Sequence, residues 1–93
     1  MESGAAVDIR VYGEVQGVGF RWFVAHRATE LGLRGFVRNT ADGGVEVHAE
    51  GSRMSLEVLI THVRIGPRSA VVGDVQTDWS TPTGAYATFE IKH

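Results

Sequence analysis

The stretch Gly13-Glu14-Val15-Gln16-Gly17-Val18-Gly19-Phe20-Arg21 carries the residue types best suited to chemistry in this chain. Its glycines allow successive backbone N–H groups to turn inward as an anion-binding nest. It leads into a helical pattern, so the helix start adds free N–H groups and the positive end of a dipole. Arg21, in the first helical turn, adds a planar fork that can hold phosphate oxygens by two hydrogen bonds. The chemistry this allows is capture of a phosphoryl group and stabilisation of charge on it. The plain structural alternative is a glycine loop with a surface arginine. Two nucleotide motifs fit poorly. Gly17-Val18-Gly19 starts a G-x-G, but Trp22 stands where a dinucleotide loop has its third glycine, and the chain has no room for a Rossmann sheet. No glycine is followed by Lys and Ser/Thr, so there is no P-loop.

A second stretch, Leu31-Gly32-Leu33-Arg34-Gly35-Phe36-Val37-Arg38-Asn39, places an amide near a strand end. Asn39 shares a strand face with Val37, so if Val37 faces the helices Asn39 does too. An unpaired buried amide costs roughly 1–3 kcal/mol, so such an Asn39 needs a partner. The alternative is a turn asparagine before Asp42-Gly43. Asp42 itself reads as the turn residue rather than as an acid. Trp22 and Phe23 could line a pocket next to Arg21, though packing is the commoner job for aromatics there. His26, His48, His62 and His93 have no pairing at metal-ligand spacing, and no metal site is expected. His48 alternates outward on its strand.

These residues need elements to hold them. Val7 to Tyr12 alternates apolar and polar, the period of a half-buried strand. From Phe20 the period changes: Phe20, Val24, Ala28 and Leu31 share one helical face, with Gly32 at the C-terminal end. Gly35–Thr40 and Val45–Glu50 read as strands joined by a hairpin at Asp42-Gly43. Gly51-Ser52 breaks the third strand, and Ser52 caps a second helix whose apolar face is Leu56, Leu59, Ile60 and Val63. Gly66-Pro67 stops that helix. Val71–Thr77 and Ala87–Ile91 are the last strands. The order is β-α-β-β-α-β with an extra strand: an α+β, ferredoxin-like two-layer sandwich, with an antiparallel sheet and both helices on one face.

The chain has 93 residues, which is the size of one domain, with residues 1–6 expected to be flexible. It has no cysteine and no apolar run near the ~20 residues that cross a bilayer. Its formal net charge of −2 argues against a general nucleic-acid binder.

Val11-Tyr12-Gly13-Glu14-Val15-Gln16-Gly17-Val18-Gly19-Phe20-Arg21 resembles the signature of the acylphosphatase family. Gly35-Phe36-Val37-Arg38-Asn39, followed by Asp42-Gly43-Gly44-Val45-Glu46, resembles that family's second block, and Gly66-Pro67 with Ala70 its third. The likeness runs from Val7 to Ile91. It implies the same ferredoxin-like fold and hydrolysis of small acyl phosphates without metal or cofactor. Arg21 matches the family's phosphoryl-binding arginine and Asn39 the asparagine that orients the attacking water. Glu14, Val15, Gln16, Gly17, Val18, Gly19 and Phe20 match its phosphate cradle. Phe36 departs from the tryptophan many members carry, and Arg68 from a proline. The likeness also implies a monomeric cytoplasmic enzyme with a small acyl phosphate as its only partner, neither nucleic acid nor membrane. Two rivals share the fold. A non-catalytic phosphate-binding or RNA-binding module is one, but Arg38 and Asn39 interrupt the aromatic motif that RNA binding needs. The other is a domain of a hydrogenase-maturation carbamoyltransferase.

Overall fold

Alternating apolar residues make the strands, and two helices cover one face of the sheet they form. The computed structural model describes residues 4–93. In chain order it comprises β1 (Gly4–Glu14), α1 (Phe20–Glu30), β2 (Arg34–Asn39), β3 (Val45–Ser52), α2 (Arg53–Ile65), β4 (Val71–Ser80) and β5 (Phe89–Lys92). Val7, Ile9 and Val11 of β1 are fully buried, and their β3 partners Ala49, Val47 and Val45 lie on the same face. Phe20, Val24 and Ala28 of α1 and Leu56, Leu59 and Val63 of α2 close over them as one apolar core. Shortening one of those leucines to alanine typically costs ~2–5 kcal/mol, so this core sets where the helix ends sit.

The helix ends follow the local sequence. Ser52 Oγ accepts the Ser55 N–H at 3.1 Å, the expected N-cap of α2. At the end of α1, Leu33 N–H donates to the Ala28 carbonyl and Gly32 N–H to that of Thr29, the paired bonds of a Schellman stop.

The sheet order is β4-β1-β3-β2-β5. β1, β2, β3 and β4 pair antiparallel, but β5 joins β2 parallel, so the expected antiparallel sheet is mixed. The reason is the route of the chain. β4 lies on one edge and β5 on the other, so residues 81–88 cross the open face of the sheet and arrive running with β2. Three further expectations are corrected. Residues 1–3 lie outside the described residues, but Gly4, Ala5 and Ala6, expected to be flexible, extend β1 and pair with Ser52, Gly51 and Glu50. Gly51 and Ser52 therefore continue β3 instead of ending it. The Gly51 position suits glycine because a Cβ there would press on Leu33 Cδ2.

The third correction concerns His48. It points away from the helices, as its alternation requires, yet it is buried, because the crossing segment covers that face. Its Nδ1 lies 2.8 Å from Asp8 Oδ1 and its Nε2 2.7 Å from Glu50 Oε2. Its ring packs on Phe36 and Tyr86. Glu50 accepts in turn from Thr83 N–H at 3.0 Å, Thr83 Oγ1 at 2.8 Å and Gly84 N–H at 3.1 Å. A charged pair on the open face thus holds down the segment that delivers β5 to the candidate site.

Among the described residues, no helix is long and apolar enough to cross a membrane.

Candidate active site

The cradle loop lies between the end of β1 and the first turn of α1. The pairing of β1 with β4 is irregular where Tyr12 faces Asp74 and Gly13 faces Val72, which skips Gly73. The extra residue belongs to β4, and the irregularity falls beside Gly13, just before the loop. Val15 and Phe20 are buried and pin the loop to the core at each end. Gly17 and Gly19 lie between them with φ of 73° and 77°, a left-handed backbone that glycine takes without strain. A Cβ on either would meet no protein atom within 4 Å, so both face open space. Gly19 caps α1 with no side-chain hydrogen bond. Among the described residues, no protein acceptor takes the N–H groups of Gln16 to Gly19. A helix start with unpaired N–H groups is ready for an anion.

Arg21 stands in that first turn. Its Nη1 donates to the Lys92 carbonyl at 3.2 Å and lies 3.2 Å from His93 Nδ1. These contacts with the end of β5 fix the guanidinium while Nη2 and Nε have no protein partner among the described residues. Asn39 ends β2 two residues after the buried Val37, on the strand face expected for it, but it is exposed there and its amide needs no protein partner.

One cavity of about 240 Å³ is lined by Arg21 and Asn39 together with Val15, Gly17, Gly19 and Phe20 from the loop. Trp22, Ile91 and His93 complete its wall. The other three loop residues expected at the site lie outside the lining. Glu14 pairs with Val71. The Val18 carbonyl accepts from Ser69 Oγ at 2.8 Å. Gln16 turns its amide to the β2–β3 turn, donating to the carbonyls of Thr40 and Gly44 at 2.8 Å each. Asp42 has the turn role expected of it. It accepts from Thr40 Oγ1, Gly44 N–H and Tyr12 Oη, and the Thr40 hydroxyl is the main cause that holds its carboxyl below the ordinary range.

Sequence reasoning missed Ile91, Lys92 and His93. They approach Arg21 only because β5 pairs with β2, and no local pattern around residue 91 reports a contact with residue 21.

The family model of acylphosphatases matches residues 7–91. The chain belongs to the acylphosphatase family. An acylphosphatase of Salinibacter ruber is 46% identical over 94 aligned positions, covering 99% of each chain. The crystal structure of an acylphosphatase from Bacillus subtilis superposes with a TM-score of 0.92 at 36% identity, over 96% of this chain and 99% of that one. An acylphosphatase from Coxiella burnetii superposes at 0.90 with 34% identity, over 97% and 94%. The acylphosphatase fold therefore extends over nearly the whole chain.

Proposed function

We propose that this chain hydrolyses the carboxyl–phosphate bond of small acyl phosphates to a carboxylate and inorganic phosphate. The observation that carries the reading is the single cavity shared by Arg21, Asn39 and the two left-handed glycines of the loop. The phosphoryl group binds with its oxygens on the loop N–H groups and on the free edge of the Arg21 guanidinium. Asn39, across the cavity, accepts a hydrogen bond from water through its amide oxygen and aims that water at phosphorus. As water attacks, the P–O bond to the acyl group breaks and the carboxylate leaves with the electron pair. A carboxylate leaves without protonation, so no general acid is needed. Asn39 is no base, and the water's proton goes to a phosphoryl oxygen. Positioning and charge stabilisation, which dominate phosphoryl transfer, are then sufficient, and the scheme calls for no metal.

The test is turnover of benzoyl phosphate in excess EDTA by the wild type, Arg21→Ala and Asn39→Ala, with each fold checked by circular dichroism. EDTA-resistant hydrolysis that both folded variants lose supports the assignment. A folded wild type that binds phosphate without turnover makes the cavity a binding site only. Activity that survives Asn39→Ala leaves phosphate capture standing and removes Asn39 from the water.

A further inference from the structure

α1 carries a second stripe besides its core face. Trp22, Ala25, His26 and Thr29 follow one another at i, i+3, i+4 and i+7, so they share one side of the helix. On β5, Phe89 and Ile91 alternate toward the same side. These six residues line a groove of about 340 Å³ between helix and strand. Trp22 and Ile91 belong also to the wall of the cavity that holds Arg21 and Asn39, so the groove opens directly from the candidate phosphoryl site.

Trp22 is 64% exposed, and with Phe89 and Ile91 it gives the groove an apolar wall open to solvent. Its indole is nonetheless held. It stacks on the His26 ring at 5.0 Å between centroids with the planes 6° apart. His26 Nε2 lies 3.8 Å from Glu30 Oε2. A fixed, flat aromatic face at the mouth of an anion site suits a flat group attached to that anion.

The geometry points to an acyl-binding subsite in this groove, with Trp22 as the residue that selects aromatic and other extended apolar acyl groups. The inference rests on the acyl phosphatase reading above. A substrate whose phosphoryl group sits at the start of α1 extends its acyl group past Trp22 along the helix. An acetyl group is too short to gain much from the indole, whereas a benzoyl ring can lie against it. An aromatic contact of this kind changes binding by about three- to ten-fold.

The experiment compares kcat/KM for benzoyl phosphate and acetyl phosphate in the wild type, Trp22→Ala and Ala25→Phe, together with competitive inhibition by inorganic phosphate. Trp22 packs little of its surface against the protein, so its removal leaves the fold intact, and circular dichroism checks this. The expected result is a loss of about five-fold for benzoyl phosphate in Trp22→Ala, chiefly through KM. Trp22 also borders the phosphoryl cavity, so the quantity read is the ratio of benzoyl to acetyl phosphate kcat/KM, which should fall about five-fold. In Ala25→Phe, outside that cavity wall, acetyl phosphate turnover and phosphate inhibition should stay within about two-fold. Ala25→Phe fills the groove and should again penalise benzoyl phosphate selectively. Equal losses for both substrates, or no loss for either, overturn the subsite while leaving the reaction in place. A wild type that hydrolyses neither substrate overturns the reaction and the subsite with it.

Discussion

Gln16 Nε2 donates to the Gly44 carbonyl at 2.8 Å, joining the loop between β1 and α1 to the turn that follows Asn39. The same nitrogen donates to the Thr40 carbonyl, so one side chain spans both ends of that turn. Gln16 itself is absent from the cavity wall. Its part is to hold Asn39 in register with the loop. In Gln16→Ala the freed carbonyls can be hydrated, so stability should fall by only about 1–2 kcal/mol. Small misplacement of a reacting group can cost up to about a hundred-fold, so kcat should drop at least ten-fold. Inhibition by inorganic phosphate should barely change. Steady-state kinetics with phosphate inhibition separate the two effects, and an equal weakening of phosphate binding would count against this role.

Arg21 offers charge and shape together. Arg21→Lys keeps the charge but loses the planar fork and the geometry of the bond to the Lys92 carbonyl. Its kcat/KM should fall by ~10²-fold or more, the usual cost of one charge-stabilising donor. Recovery of most activity by lysine would show that charge alone suffices.

The stability of the open face should depend on pH in two directions. Burial pushes the Glu50 carboxyl up, but hydrogen bonds from His48, Thr83 and Gly84 outweigh it and hold the group at about 2 against an ordinary 4.5. That contribution is complete above about pH 4.5 and is lost as pH falls toward 2. For His48, burial lowers the value, yet Glu50 and Asp8 together raise it above 6.5. Ionised carboxylates only accept, so a ring bonded to both donates from both nitrogens as an imidazolium. Its contribution is complete below about pH 6.5 and is lost as pH rises through the raised value. Urea unfolding should therefore show His48→Gln well below wild type at pH 5.5 and closer to it at pH 8.5. A gap that is the same at both pH values would exclude the imidazolium.

Glu50 also anchors the segment that leads to β5. Removing one member of a buried charged pair costs ~3–5 kcal/mol. Glu50→Ala should lose that stability and, because β5 supplies the carbonyl that fixes Arg21, lose activity below its melting temperature as well. Thermal unfolding followed by kinetics at a temperature where the variant is folded checks both. Full activity in the folded variant would mean that β5 docks without the anchor.

Gly35 permits a close approach of β2 and β3. It has φ of 142°, and a Cβ there would run into the His48 carbonyl. Gly35→Ala must separate the two strands and should cost at least ~3 kcal/mol. The melting temperature should fall by more than about 10 °C. A smaller shift by calorimetry would show that the sheet relaxes around the added methyl.

Local sequence determined much of this protein, for a physical reason. Alternation in Val7–Tyr12 and Val45–Glu50, the helical spacing of Leu56, Leu59 and Val63, the Ser52 cap and the glycines between Gly13 and Gly19 all act over a few residues. They fix strands, helices and an anion-ready loop wherever the rest of the chain lies. The likeness of two short blocks then carried Arg21 and Asn39 to one site, and the tertiary structure places both on one cavity. What local pattern could not reveal depends on pairings across the fold. Asn39 shares the strand face of the buried Val37 yet is exposed, at the strand end where the cavity opens. His48, polar and outward on its strand, is buried because residues 81–88 return over it. Arg21 is fixed by Lys92 and His93, 71 and 72 residues away. The Trp22 groove exists only once β5 lies beside α1. Such contacts follow from the whole sheet order, which no window of the sequence contains.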